Sequence, residues 1–350
     1  MNKPTAISLF TGVGGFDLGV ERAGFKVVGA NEIDFKTAST YSKNFKTPII
    51  IDDVRKVSGN NLRDSGGIGR YTDVDLVFGG SPCQGFSQAG KRDPNDHRNS
   101  LIFEYQRLVL DIYPKYFIFE NVSELLNPRN KDVLDKFTNG LYDEGYYIQI
   151  KTLDASNYGV PQTRKRVFMI GNRCNYLMPS FPPESKENFT LYDAIADLKF
   201  TNGYEKLRYV DSVSELVYDE PSNYVKNYHK LLGSNIDFAK VIRPITASKF
   251  TRHDYETIKA FKSYSQGYRE SFARRCKPVY DDVCPTVVTK QRLIHPIYPR
   301  YLTVRECARI QSFIDDFTFH HTIEQGQKEV GNAVPPLLGY KLAKQIIDVL

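Results

Sequence analysis

Val74-Asp75-Leu76-Val77-Phe78-Gly79-Gly80-Ser81-Pro82-Cys83-Gln84-Gly85-Phe86-Ser87 is the stretch around which the rest of the chain can be read. Val74 to Phe78 is apolar and β-branched at most positions, which predicts a short buried strand. Two glycines and a proline then stop it abruptly. Cys83 is therefore expected at the carboxyl end of a strand, on a stiff, tight loop, and in open α/β sheets that edge is where ligands bind. On residue type alone, a lone cysteine is more often a small buried hydrophobe than a nucleophile. The Gly79-Gly80-Ser81-Pro82 turn shifts the weighting, because it presents the next side chain rather than packing it.

Upstream, a strand over Ala6 to Phe10 leads into Thr11-Gly12-Val13-Gly14-Gly15 and a helix from Phe16 to Ala23, closed by Gly24. Strand, glycine turn, helix is a nucleotide-binding opening: the glycines admit close approach and the helix amides point at the ligand. The spacing is Gly-x-Gly-Gly rather than Gly-x-Gly-x-x-Gly, which weakens a dinucleotide reading. A second strand, Phe25 to Ala30, ends in Asn31-Glu32-Ile33-Asp34. Glu32 is placed to accept both hydroxyls of a ribose, with Ile33 free to lie against a base. The plainer reading of Glu32 is a charge at a helix N-terminus. A third strand, Ile49 to Ile51, runs into Asp52-Asp53-Val54, and residues 58–72 read as a surface loop.

Downstream of Cys83 comes a polar loop from Gln88 to Arg98, then a helix from Asn99-Ser100 with Ile102, Tyr105, Val109 and Ile112 at helical spacing, ended by Pro114. The strand Tyr116 to Phe119 delivers Glu120 to its end. A carboxylate straight after four apolar residues is expensive to bury without a partner or a task, which singles it out. A helix near 131–144 and a strand over 147–153 follow. Gln162-Thr163-Arg164-Lys165-Arg166 then enters a strand over 167–171, and extended geometry puts Arg164 and Arg166 on one face, able to hold a carbonyl or a phosphate. This alternation predicts a doubly wound, mostly parallel α/β sheet.

The pattern changes after about residue 194. Residues 200–266 lack sustained periodicity and predict a second, smaller, irregular domain. Regularity returns with the capping box Thr303-Val304-Arg305-Glu306, opening a helix through Ser312, and with a final helix after Pro335-Pro336. The 350 residues carry a net charge of +6, unevenly spread. Residues 221–300 hold 15 Lys and Arg against 6 Asp and Glu, interleaved with Tyr224, Tyr228, Tyr255, Tyr264, Tyr268 and Tyr280. Such a segment suits a phosphate backbone, though a solvated basic face would look the same. No apolar run approaches a membrane span, and no secretory leader pattern opens the sequence, so a cytoplasmic protein without a membrane partner is expected. The five cysteines are widely spread and none has metal-ligand spacing, which supports neither a disulfide framework nor a metal site.

Six stretches, in order, resemble the cytosine-5 DNA methyltransferases of bacterial modification type: Phe10-Thr11-Gly12-Val13-Gly14-Gly15-Phe16; Gly80-Ser81-Pro82-Cys83-Gln84-Gly85-Phe86-Ser87; Phe119-Glu120-Asn121-Val122; Gln162-Thr163-Arg164-Lys165-Arg166; Leu302-Thr303-Val304-Arg305-Glu306; and Gln327-Lys328-Glu329-Val330-Gly331-Asn332-Ala333-Val334. The resemblance spans nearly the whole chain except the variable middle. It implies a Rossmann-like methyltransferase sheet, with residues 1–194 plus 325–350 as catalytic domain and 195–324 as target-recognition domain. It implies S-adenosylmethionine as donor and double-stranded DNA as substrate. A restriction endonuclease of the same specificity would be the functional partner, and a monomer is expected.

The chemistry accounts for the residue types. Cytosine C5 is a poor nucleophile, and a thiolate adding at C6 makes it enamine-like. By resemblance, Cys83 is that nucleophile, Glu120 holds the N3 and N4 edge, Arg164 binds O2 and Arg166 completes the pocket. Phe10, Thr11, Gly12, Gly14, Gly15 and Leu101 would surround the methionine portion of the donor, and Glu32 its ribose. Ile33 and Val54 would sandwich adenine, Asp53 would accept from its amino group, and Asn332 would come from the C-terminal segment. The target base must leave the duplex to reach Cys83. Three rivals remain: a tRNA cytosine methyltransferase with the same catalytic pattern, a nicotinamide-dependent oxidoreductase, and a catalytically silent DNA-binding protein. The oxidoreductase reading gives Cys83, Glu120 and Arg164 no role, and intact catalytic positions argue against the silent protein.

Overall fold

The computed structural model describes residues 3–82, 100–200, 216–218, 220–234, 236, 242–243, 255–271 and 274–350. Cys83, the loop 88–98 and much of 201–254 lie outside the described residues. The chain forms two compact units: Met1–Asp154, Lys165–Pro183 and Gly339–Leu350 make the first, and Ala155–Arg164 with Glu184–Leu338 the second.

The first unit is built on seven strands: β1 (Thr5–Leu9), β2 (Lys26–Glu32), β3 (Ile49–Ile51), β4 (Leu76–Gly79), β5 (Tyr116–Val122), β6 (Tyr146–Asp154) and β7 (Lys165–Arg173). Their order across the sheet is β3-β2-β1-β4-β5-β7-β6. The first five run parallel, and β7 is antiparallel to both β5 and β6. From β1 the chain winds outward through β2 and β3, then returns to start the other half at β4. The carboxyl ends of β1 and β4 therefore flank the switch point, where an open α/β sheet parts to receive a ligand. Helices α1 (Gly15–Ala23), α2 (Phe35–Asn44), α3 (Gly59–Ser65), α4 (Leu101–Ile112) and α5 (Lys131–Tyr142) cover the sheet.

Strand β4 is apolar and fully buried because both of its faces are covered. It runs through Gly79 (φ 148), where an added Cβ would stand 1.9 Å from the Leu9 carbonyl oxygen. Only glycine lets β4 lie this close to β1. The core gathers Ile7, Leu9, Val77, Tyr105, Phe117 and Phe119, and the buried Tyr105 hydroxyl donates to the Ile118 carbonyl at 2.9 Å. On the other side Phe16 meets Gly339, whose added Cβ would lie 2.9 Å from the Phe16 ring, and Ile347 lies 3.7 Å from the Cβ position of Gly24.

Residues 58–72, expected as a surface loop, contain α3. Its capping box joins Ser58 and Asn61: the Asn61 N–H donates to Ser58 Oγ at 3.1 Å and the Ser58 N–H to Asn61 Oδ1 at 2.9 Å. Serine and asparagine read as loop formers by composition, yet here they satisfy the helix end.

The second unit holds a small antiparallel sheet of β8 (Leu198–Phe200), β9 (Leu216–Tyr218) and β10 (Ile242–Arg243), in the order β10-β9-β8, with helices α6 (Leu191–Ile195), α7 (Asn223–Leu231), α8 (Tyr255–Ser263), α9 (Val304–Ile310) and α10 (Ile323–Asn332). The described parts of residues 200–266 are therefore more regular than their composition predicts. Tyr224, Val225 and Tyr228 form the buried stripe of α7, and tyrosine at core positions hides the helical period. The capping box at Thr303 and Glu306 forms as expected. A buried polar cluster holds this unit together. Arg309 donates to Asp315 (Nε at 2.9 Å, Nη2 at 2.5 Å) and to Asp197 (Nη1 at 2.5 Å), all nearly or fully inaccessible. Nearby, Arg300 grips Glu306 through two bonds of 2.7 Å. A last helix, α11 (Pro336–Ile347), carries Gly339. No helix among the described residues is long and apolar enough to cross a membrane.

Candidate active site

The turn after β1 is left-handed at Phe10 (φ 53), Gly12 (φ 58) and Gly14 (φ 88). A non-glycine residue rarely holds such a φ, and at Phe10 the surrounding structure imposes it. The Thr11 N–H donates to the Asn31 carbonyl and the Gly14 N–H to the Thr11 carbonyl, each at 3.0 Å, locking the turn to β2 and to itself. Gly14 is required twice over, since an added Cβ would stand 2.3 Å from the Phe45 ring. Gly15 opens α1.

Gly12 is different: a Cβ there would meet nothing within 4 Å. The turn thus opens onto free space beside the switch point. Its N–H donates to Glu32 Oε2 at 3.0 Å, while Glu32 Oε1 accepts from the Asp34 N–H at 2.8 Å. Burial pushes the Glu32 carboxyl up, and these two N–H bonds pull the other way. Next to it, Ile33 is 65% exposed, an unusual place for an aliphatic side chain without a ligand to cover it. An open glycine turn, a held carboxylate and an exposed aliphatic residue fit the methionine, ribose and adenine portions of a methyl donor.

Other expected donor contacts are arranged less simply. Val54 is buried in the core cluster, and Leu101 packs partly against it at the start of α4. Asp53 caps the turn 54–56 and is held by the Arg55 guanidinium, which keeps its carboxyl at about 2. Asn332, the exposed last residue of α10, belongs to the second unit.

On the other side of the switch point, the backbone of Gly80 lies against Glu120, whose Oε2 would be 2.7 Å from an added Cβ. Glu120 lies within β5, paired with Phe168, rather than beyond the strand end. Its neighbour across the ladder is Arg166, paired with Val122, so the two side chains share a face diagonally. Arg166 Nε reaches Glu120 Oε1 at 3.1 Å. Asn121 projects to the opposite face, buried, and donates to the Ser81 carbonyl at 3.2 Å and to Ser81 Oγ at 3.3 Å. Both faces of β5 thus lie against the turn at Gly80 and Ser81, which in the sequence leads to Pro82 and Cys83.

The two arginines part company. The β7 ladder begins at Lys165, so Arg164 is not on a shared strand face with Arg166 as expected. Arg164 is buried in the second unit, donating to the Val287 carbonyl at 3.3 Å and the Gly331 carbonyl at 3.2 Å. Gln162 is bonded there too: its Oε1 accepts from the Val287 N–H at 2.8 Å, and its amide donates to Gln311 at 3.0 Å. Asn121, quoted from the sequence without a role, ties β5 to Ser81, and Asp17, not singled out in the sequence, accepts three hydroxyl hydrogen bonds beneath the glycine turn. The available signal was a polar side chain inside an apolar strand or helix face.

A parallel sheet with an antiparallel seventh strand, a glycine turn after β1 and a glycine-proline turn after β4 define a Rossmann-like methyltransferase. The C-5 cytosine-specific DNA methylase family model matches residues 5–348, and the chain belongs to that family of enzymes. The type II methyltransferase M.XorII of Xanthomonas oryzae is 37% identical, over 100% of this chain and 86% of its own length. M.FnuDI of Fusobacterium nucleatum is 36% identical, over 98% and 94%. A crystal structure of a protein described as a DNA modification methyltransferase encoded within an E. coli prophage superposes with a TM-score of 0.83 at 29% identity, covering 99% of both chains. Dnmt2 of Spodoptera frugiperda, with a TM-score of 0.60 at 16% identity over 98% and 99%, shares the fold. Family and fold imply a donor of the S-adenosylmethionine type and a DNA substrate.

Proposed function

We propose that this enzyme methylates C5 of a flipped cytosine within a specific duplex sequence, through a covalent bond from Cys83. The observation that carries the reading is the pairing of Glu120 on β5 with Arg166 on β7, on one face of the sheet beside Gly80, whose turn continues in the sequence to Ser81-Pro82-Cys83. The Cys83 thiolate adds to C6. Glu120 holds the N3 and N4 edge and favours protonation at N3 as negative charge develops. The donor supplies an electrophilic methyl to C5, and S-adenosylmethionine is the donor proposed. Loss of the C5 proton then restores the double bond and expels the thiolate. Arg166, rather than Arg164, is assigned to O2, because its guanidinium stands with Glu120 while Arg164 is committed to two carbonyls.

For the donor, Phe10, Thr11, Gly12, Gly14 and Gly15 are assigned to the methionine portion with Leu101, Glu32 to the ribose, and Ile33 and Val54 to the adenine. Asp53 would receive the adenine amino group and Asn332 would close the site. Residues 1–194 with 325–350 are assigned to catalysis and 195–324 to target recognition, where the basic, tyrosine-bearing segment would meet phosphates and base edges. The names of the relatives support a role beside a restriction endonuclease of the same specificity. A cytoplasmic monomer completes the reading.

Covalent trapping tests it. DNA containing 5-fluorocytosine is expected to form a stable adduct only when donor and Cys83 are both present. An adduct that survives Cys83→Ala, or transfer to tRNA with none to DNA, overturns the assignment. Base-resolution methylation sequencing of DNA from a host expressing the chain would then give the target site.

A further inference from the structure

Beneath the glycine turn lies a carboxyl group that the proposed reaction does not use. Asp17, in the first turn of α1, has no exposed surface. Its oxygens accept from three hydroxyls on three different segments: Thr11 Oγ1 at 2.8 Å from the turn, Ser8 Oγ at 3.0 Å from β1, and Tyr41 at 3.0 Å from α2. A buried acid is costly unless every lone pair has work to do, and here hydroxyls replace water. Its hydrogen-bond partners are these three hydroxyls, and no ion pair with a basic side chain is formed among the described residues. Burial pushes the carboxyl up to about 7, against the pull of Thr11, Ser8 and Tyr41, and Glu21 on the same helix adds to the rise.

Of the three donors, only Thr11 belongs to the turn itself. Thr11 also holds the Asn31 carbonyl through its N–H, and the next residue, Gly12, holds Glu32. A chain of bonds therefore runs from Asp17 through Thr11 and Gly12 to the carboxylate assigned to the donor ribose.

We propose that Asp17 is a positioning residue for the methyl donor, acting through the Thr11 hydroxyl to hold the Gly12 amide and Glu32 in binding geometry. The inference rests on the donor site assigned above. Asp17 contacts no substrate. It replaces the cation that would ordinarily neutralise a buried acid with hydroxyl groups, one of which is part of the ligand-binding turn.

The experiment measures binding of S-adenosylhomocysteine, the demethylated donor, by calorimetry, with DNA affinity and urea midpoint measured alongside. Thr11→Val is expected to lower affinity roughly tenfold, the size of one charge-assisted hydrogen bond. Ser8→Ala removes a hydroxyl from the same carboxylate away from the turn, and is expected to lower the urea midpoint with donor affinity changed less than about twofold. Asp17→Asn is expected to match Thr11→Val, with DNA affinity retained. If Asp17→Asn does not fold, Asp17→Ser takes its place, since Thr11 is itself assigned to the donor and its variant does not isolate Asp17. Equal loss of affinity in the Asp17 variant and Ser8→Ala, in proportion to lost stability, overturns the proposal by making Asp17 merely structural. So does unchanged affinity in the Asp17 variant. Wild-type protein that binds no donor would overturn the donor-site reading itself, and this inference with it.

Discussion

Asn121 and Ser81 are joined by two hydrogen bonds from a single amide, 3.2 Å to the Ser81 carbonyl and 3.3 Å to its hydroxyl, inside the core where no water competes. The pair ties β5 to the turn that ends two residues before the thiol. Asn121 Oδ1 is itself fixed by the Val122 N–H at 2.9 Å, so the amide cannot swing away.

Replacing Asn121 by Ala should therefore lower the rate of adduct formation more than donor binding. Loss of two buried bonds costs about 1–3 kcal/mol of order in the turn. Single-turnover trapping on 5-fluorocytosine DNA is expected to slow about tenfold or more, with the donor dissociation constant unchanged. Equal changes in both would show that Asn121 serves the whole fold.

Arg164 and Arg166 should separate by phenotype. Arg166→Ala leaves Glu120 without its cation and is expected to reduce methyl transfer at least a hundredfold while the protein stays folded. Arg164→Ala leaves the Val287 and Gly331 carbonyls unmet and is expected to lower the urea midpoint first. Rates and midpoints for both variants decide the assignment.

Glu32→Gln keeps the shape of the side chain but loses the charge that Gly12 and Asp34 N–H groups bind. Donor affinity is expected to fall about tenfold, with DNA affinity within twofold. The reverse pattern would remove Glu32 from the donor site.

The second unit should be sensitive to mild acid. Burial, helped by Arg300, holds His295 down to about 3, while Glu306 sits at about 2 because Arg300 and His295 outweigh its burial. Both groups bind fewer protons folded than unfolded, so stability is present at neutral pH. It is lost as pH falls from about 6.5 for the histidine and from about 4.5 for the glutamate. The urea midpoint is expected to fall between pH 7 and 5 and to fall less in His295→Gln. In the first unit Asp17 works oppositely. Its folded value of about 7 lies above the unfolded one, so its contribution is complete below about 4 and declines as pH rises through 7.

Arg309→Met would strand Asp315 and Asp197 in a dry interior and is expected to cost about 3–5 kcal/mol, read as a lower urea midpoint.

Much of the sheet was legible because strands and helices alternate with clean apolar runs, and because each turn of glycine or proline falls at a strand end. Helix α3 was not, since Ser58 and Asn61 look like loop residues until their reciprocal cap is seen. Nor was α7, whose buried face is tyrosine. At the site, residue types singled out Glu120 and Glu32 as candidates, while the different surroundings of Arg164 and Arg166 depend on where a ladder begins, a matter of register that spacing does not carry. Asn121 and Asp17 stayed hidden for a related reason. Their importance lies in what they hold, and side chains that hold a backbone have no motif of their own.

The packing of Gly339 on Phe16 and of Ile347 by Gly24 has a consequence for the order in which the first unit folds. Helix α1, which carries the glycine turn, is covered by a helix far along the chain, and contacts so distant in sequence form late because loop closure must be offset first. The sheet therefore assembles before α11 is laid over α1. Folding of this unit ends with an act of closure, and a variant that loosens α11 would free one side of Phe16 while leaving the strand order intact.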